Sequence, residues 1–141
     1  MDNVNDFREW RAEEIAKLFL LKSKYKLMIE KYPTPLFDFF IYFKTDPSVK
    51  FAVEVKTTRN YQKGIRKQLT NIKIYKDASM ITLPVLLFKI DEENEKGELD
   101  FLVLPSLKEN NLLIQNEFRF EELSQDNLNI KIEIIKNWYE R

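Results

Sequence analysis

Cysteine and histidine are both missing from this chain of 141 residues. Without cysteine there is no disulfide framework and no thiolate metal site. Without histidine there is no imidazole-bound zinc, no Ser-His-Asp triad and no histidine general base. Any metal must then be a hard ion held by oxygen, which points to Mg²⁺ or Mn²⁺. Net charge is missing too, because 23 Lys and Arg balance 23 Asp and Glu. Neutrality argues against strong non-specific nucleic-acid binding, which normally draws on a basic excess. No apolar run approaches the roughly 20 residues needed to span a bilayer, and no signal-peptide pattern opens the chain. The expected location is the cytoplasm.

What remains is the composition of a globular chain, 44% hydrophobic and 33% charged, rather than a disordered one. Its length suits one domain with a real core. The charge is unevenly placed. Lys56, Arg59, Lys63, Arg66, Lys67, Lys73 and Lys76 follow one another with no acid between them, while acids gather in Asp91–Asp100 and the last third. The basic run is either a nucleic-acid-facing surface, with Arg59, Lys63, Arg66 and Lys67 as its contacts, or a solvated helix face.

Periodicity gives the order of elements. Asp6–Lys24 reads as an amphipathic helix on the stripe Ala12, Ile15, Ala16 and Phe19. Tyr25–Glu30 reads as a first strand, closed by Pro33 and Pro35, which forbid a helix. Strands over Leu36–Phe43 and Phe51–Thr57 flank Lys44–Ser48, a hairpin turn that makes them antiparallel neighbours. Asn60–Asp77 reads as a second helix. Leu83–Ile90 is a buried strand, and Leu99–Leu104 is its hairpin partner across a charged loop. Beyond Pro105 the pattern loosens into short strands at Leu112–Gln115, Phe118–Phe120 and Ile130–Ile135, the last running into a helix through Trp138. The fold class is α/β, an α+β arrangement on a mixed sheet. Its order is helix-β-β-β-helix-β-β over residues 6–104, with a C-terminal extension over 105–141.

Two acids stand out within the apolar strands. Asp38 lies between Leu36-Phe37 and Phe39-Phe40, and Glu54 lies in Phe51-Ala52-Val53-Glu54-Val55-Lys56. An unpaired charge is expensive to desolvate, so an acid in such a run calls for a ligand or a partner. Strand alternation puts Glu54 and Lys56 on one face and Val53 and Val55 on the other. Glu-X-Lys by itself is common and on an edge strand is merely a solvated face. Two carboxylates and a lysine converging on one spot make a divalent-metal site with a cation beside it, suited to phosphodiester cleavage.

With these residues in this order, the chain resembles the PD-(D/E)xK nuclease superfamily, the restriction-endonuclease-like fold. It is most similar to the small resolvase-like domains typed as DUF4365. Asp38 matches the metal-binding Asp, Glu54-Val55-Lys56 matches E-x-K, and Pro84-Val85 matches a later strand opening; Leu36-Phe37 stands where relatives often carry glycine before the Asp. The resemblance implies that Asp38, Glu54 and the Val55 backbone carbonyl hold Mg²⁺ or Mn²⁺. Glu13 on the first helix would hold a bound water or a second ion, with Glu9 and Glu14 as competitors for that place. Lys56 would orient the attacking water or stabilise charge on phosphorus, and Gln68 would help to place the nucleophile. The implied function is metal-dependent cleavage of nucleic acid, with DNA favoured over RNA.

Two other readings compete. The same fold could serve as a catalytically silent binding or assembly module, with Trp138, Tyr139 and Phe118–Phe120 in a homodimer or partner surface. An unrelated α+β protein, whose acids only pair with lysines, would place Asp38 and Glu54 far apart.

Overall fold

The computed structural model describes residues 3–31, 37–58, 64–67, 82–108, 111–115 and 117–141. Among these residues there are two helices and eight strands. They run α1 (Asn3–Leu21), β1 (Leu27–Lys31), β2 (Phe39–Phe43), β3 (Lys50–Thr57), β4 (Gly64–Lys67), β5 (Val85–Asp91), β6 (Lys96–Ser106), β7 (Asn111–Ile114), β8 (Glu117–Glu122) and α2 (Gln125–Tyr139). The sheet order is β1-β2-β3-β5-β6-β8-β4, and β7 pairs separately with β6. It is a mixed sheet. β1, β2 and β3 form an antiparallel meander, β3 and β5 are parallel, and the remaining pairs are antiparallel.

The β2–β3 hairpin follows from its turn chemistry. The Asp46 side chain accepts from the Ser48 backbone N–H and hydroxyl, and Val49 N–H closes the turn on the Asp46 carbonyl at 3.0 Å. β3 and β5 run parallel because a long crossover joins them, as parallel pairing requires. β5 and β6 are hairpin partners, as their continuous apolar runs predict.

Both helices pack on the face carrying Phe51, Val53, Leu86, Phe88, Leu99 and Phe101. From α1 come Ala12, Ala16 and Leu20, one turn apart, so two small residues let the helix lie close to the strands. Full burial of Leu20 alone contributes about 1.5–3 kcal/mol. α2 adds Leu128, Ile132 and Ile135 to the same cluster, so the C-terminal third shares the core of the first two. Ser124 caps α2 by accepting from Asn127 N–H. At the other end the Tyr139 hydroxyl donates to the Lys50 carbonyl at 2.7 Å, and burial pushes that phenol up to about 12.

Three expectations need correction. Gly64–Lys67, read as part of a helix, is a strand that pairs with β8 from Gly64↔Phe120 to Lys67↔Glu117. A glycine at its start is a poor helix residue, and a partner fifty or more positions away leaves no local trace. The rest of the expected Asn60–Asp77 helix lies outside the described residues. Ile130–Ile135 is helical throughout rather than a strand, because Leu128, Ile132, Ile135 and Trp138 face inward at helical spacing. Asp38 precedes β2 rather than lying within it.

Gly97, in the β5–β6 hairpin, has no room for a side chain. A Cβ there would sit 2.7 Å from the Lys89 carbonyl oxygen and 3.1 Å from a Leu123 methyl. Gly97→Ala is expected to destabilise the protein by about 1–3 kcal/mol. Thermal denaturation would show this as a fall of several degrees in Tm.

Candidate functional site

The ends of β2 and β3 bring Asp38 and Glu54 together. Asp38 N–H donates to the Val53 carbonyl at 2.9 Å; because Val53 is also the partner of Phe39, the β2–β3 register slips by one residue at Asp38. The Asp38 carboxylate in turn accepts the Val55 N–H at 2.7 Å. This bond fixes the carboxylate against the strand that carries Glu54 and Lys56. The arrangement with Asp38 and Glu54 far apart is thereby ruled out.

Glu54 is nearly enclosed, with 5% of its surface exposed. Its carboxylate meets the Lys56 ammonium at 3.2 Å. Alternation explains the pairing, since Ala52, Glu54 and Lys56 share the face away from the helices while Val53 and Val55 face α1. Lys56 is paired across the parallel strands with Lys89. The Lys89 ammonium lies 5.3 Å above the Phe120 ring, a cation–π contact directed toward β8.

α1 delivers Glu13 from the other side. Arg8 and Arg11 on one flank of the helix hold the buried Glu92 at 3.0 and 3.4 Å, which pins α1 to the turn between β5 and β6. Two residues on from Arg11, and so on the opposite flank, Glu13 contacts the Lys31 ammonium at the end of β1. Glu13 is the first-helix acid that adds its charge to Asp38, ahead of Glu9 and Glu14. Glu14 acts on Lys31 by charge alone.

Asp38 therefore sits among acids. Burial, first of all, lifts its carboxyl to about 6, and the charges of Glu13 and Glu54 add to that rise; the Val55 N–H and the Lys56 ammonium oppose it. Lys31 is held above its usual range, chiefly by its hydrogen bond to Glu13 and further by the charges of Glu13, Asp38 and Glu14. Three carboxylates bracketed by two lysines carry one net negative charge.

No three acidic side chains among the described residues are already arranged to grip an ion. The geometry gives the reason. Glu13 comes from the helix-covered face, Glu54 from the opposite one, and ammonium groups occupy both. The donor set nevertheless fits a hard divalent cation. It is all oxygen, it includes a carboxyl raised by burial and then by like charge, and two ammonium groups stand in for positive charge. The Val55 carbonyl belongs to the same strand end, beside the N–H that Asp38 holds.

The other expected contacts fare differently. Gln68, Arg59 and Lys63 lie outside the described residues. Arg66 and Lys67 are on β4, placed by backbone alone at the far edge of the sheet order from β2. Sequence reasoning missed Lys31, Lys89 and three more buried acids, Glu92, Glu98 and Asp100. Asp100, between Leu99 and Phe101, carries the same signal as Asp38 but has a structural use. The ladder of β6 with β8 stops at Leu99 and that with β7 begins at Val103, and in the gap Asp100 accepts from Phe101 N–H and Arg119 N–H. A polar cleft of about 540 Å³ opens there, lined by Asp100, Gln115, Glu117, Arg119, Glu121 and Lys131.

Comparisons with protein-family models, with curated proteins and with solved structures give no match to this chain. No described helix is long and apolar enough to cross a membrane.

A carboxyl raised by burial and like charge weakens the fold above its raised value and stops doing so as pH falls toward the ordinary value of 3.8. Asp38→Asn should therefore raise the Tm of metal-free protein by about 3 °C near pH 7.5, allowing for the partial exposure of the group, and by almost nothing near pH 4. Melting curves of both proteins across that pH range provide the check.

Proposed function

We propose that this protein is a metal-dependent phosphodiester hydrolase of the PD-(D/E)xK nuclease type, with a restriction-endonuclease-like core and DNA as substrate. The observation that carries the reading is the convergence of Asp38, Glu54 and Lys56 at one strand end, with Glu13 acting on Asp38 from α1. The resemblance assigns these residues from sequence, and Glu13 and Glu54 both add their charge at Asp38.

Asp38 and Glu54 would supply carboxylate oxygens, and the Val55 backbone its carbonyl, to hold Mg²⁺ or Mn²⁺. Such an ion, when bound, supplies Lewis-acid activation of a phosphodiester and of its attacking water. The protein's own contributions are local. The Val55 N–H keeps the Asp38 carboxylate turned toward β3. Lys56, paired with Glu54 in this structure, would present a compact cation to a phosphate oxygen or to the water. Glu13 adds negative charge that favours a dication close to Asp38.

A silent binding module built on the same fold is the competing reading, and the salt-bridged state of Glu54 and Glu13 is what favours it. Two experiments separate them. With Mg²⁺ or Mn²⁺ and a panel of linear and branched DNA, wild type should cleave, whereas Asp38→Ala and Lys56→Ala should each lose activity by at least about a hundredfold. Retained cleavage in either variant would sink the catalytic assignment. Separately, Mn²⁺ should raise the Tm of wild type but not of the double variant Asp38→Asn/Glu54→Gln. Stabilisation without cleavage by wild type would identify the silent module.

A further inference from the structure

Lys31 was not among the residues expected at the site, yet its ammonium makes a direct contact there. It reaches Glu13 from solvent, with 61% of its side chain exposed against 16% for Glu13. Its strand pairs with β2 up to Lys31↔Phe39, next to Asp38 in the chain. Asp38 and Glu14 both add their charge at the same ammonium. Lys56 makes the equivalent contact with Glu54 on the other face of the sheet. The acid group is thus closed at both ends by lysines, one more exposed than the other.

A divalent ion and an ammonium cannot both sit close to Glu13 without strong mutual repulsion. An exposed pair such as Lys31–Glu13 is the weaker competitor, because solvent screens it and holding the side chain costs rotamer freedom. We propose that Lys31 is a displaceable counter-ion of the metal site: it neutralises Glu13 while no ion is bound and is expelled into solvent when a divalent cation binds beside Asp38. This rests on the metal-binding reading and adds a regulatory residue to it. Metal affinity is then set partly by a lysine that takes no part in ligation. The freed ammonium lies at the mouth of the site, on the side of α1, where it is available to a substrate phosphate.

The test is Mn²⁺ binding to the full chain by isothermal titration calorimetry, with no substrate and no turnover. Lys31→Met and Lys31→Gln should each tighten Mn²⁺ binding about fivefold, the upper range for an exposed pair. Lys31→Arg, which keeps the charge, should bind as wild type does. Lys24→Met, an exposed lysine elsewhere, should change affinity by much less and so measures the general effect of net charge. Binding by Lys31→Met where wild type shows none would support the proposal most strongly. Unchanged or weaker binding by both neutral Lys31 variants, with wild type binding normally, would overturn the counter-ion role and leave the metal reading intact. An equal gain in Lys24→Met would overturn it as well. Absence of binding in wild type and in every variant would overturn both.

Discussion

The hydrogen bond from Val55 N–H to the Asp38 carboxylate is the constraint on which the site depends. It takes a backbone donor near the end of β3 and satisfies it with a side chain just before β2, so one short contact holds Asp38 against the strand that carries Glu54. Asp38 is kept half-buried as a result, with its charge opposed by burial and by Glu13 and Glu54. A carboxylate in that position is costly to the fold unless it does something that a neutral residue could not.

The buried acids of this protein divide by what satisfies them. Glu92 is held by two arginines of α1 and serves as an anchor between a helix and a hairpin. Asp100 takes two backbone N–H groups where the sheet edge splits, and so replaces missing ladder bonds. Both have partners that belong to the architecture. Asp38, Glu54 and Glu13 are different, because Glu13 and Glu54 raise the cost of charge on Asp38 and their own cations are lysines. Glu92 and Asp100 are matched by arginines and by backbone; Glu13 and Glu54 are matched by lysine ammonium groups, and Asp38 by the Val55 N–H.

Much of this was legible in the chain. The meander of three strands follows from two prolines, one hairpin turn and the alternation in Phe51–Thr57, and the acids announce themselves by apolar neighbours on both sides. The β5–β6 hairpin was equally clear from two apolar runs and the charged turn between them. Other features left no local mark. Gly64–Lys67 is a strand only because β8 offers it an edge, and Ile130–Ile135 carries apolar residues at a spacing that suits either period until Leu128 and Trp138 are included. Lys31 looked like an ordinary charged residue at a strand end. Its role depends on a helix flank that arrives from eighteen positions earlier, and no pattern within β1 encodes that. Asp100 shows the opposite failing, since the signal that found Asp38 also marks a residue whose work is structural.

The most direct test of the account is where a divalent ion binds. Crystals soaked in Mn²⁺ and measured for anomalous scattering should show one strong peak within coordinating distance of Asp38 and Glu54, with the Lys56 ammonium moved off Glu54. No peak at that position under saturating Mn²⁺, with Lys56 still paired to Glu54, would contradict the reading of these residues as a metal centre.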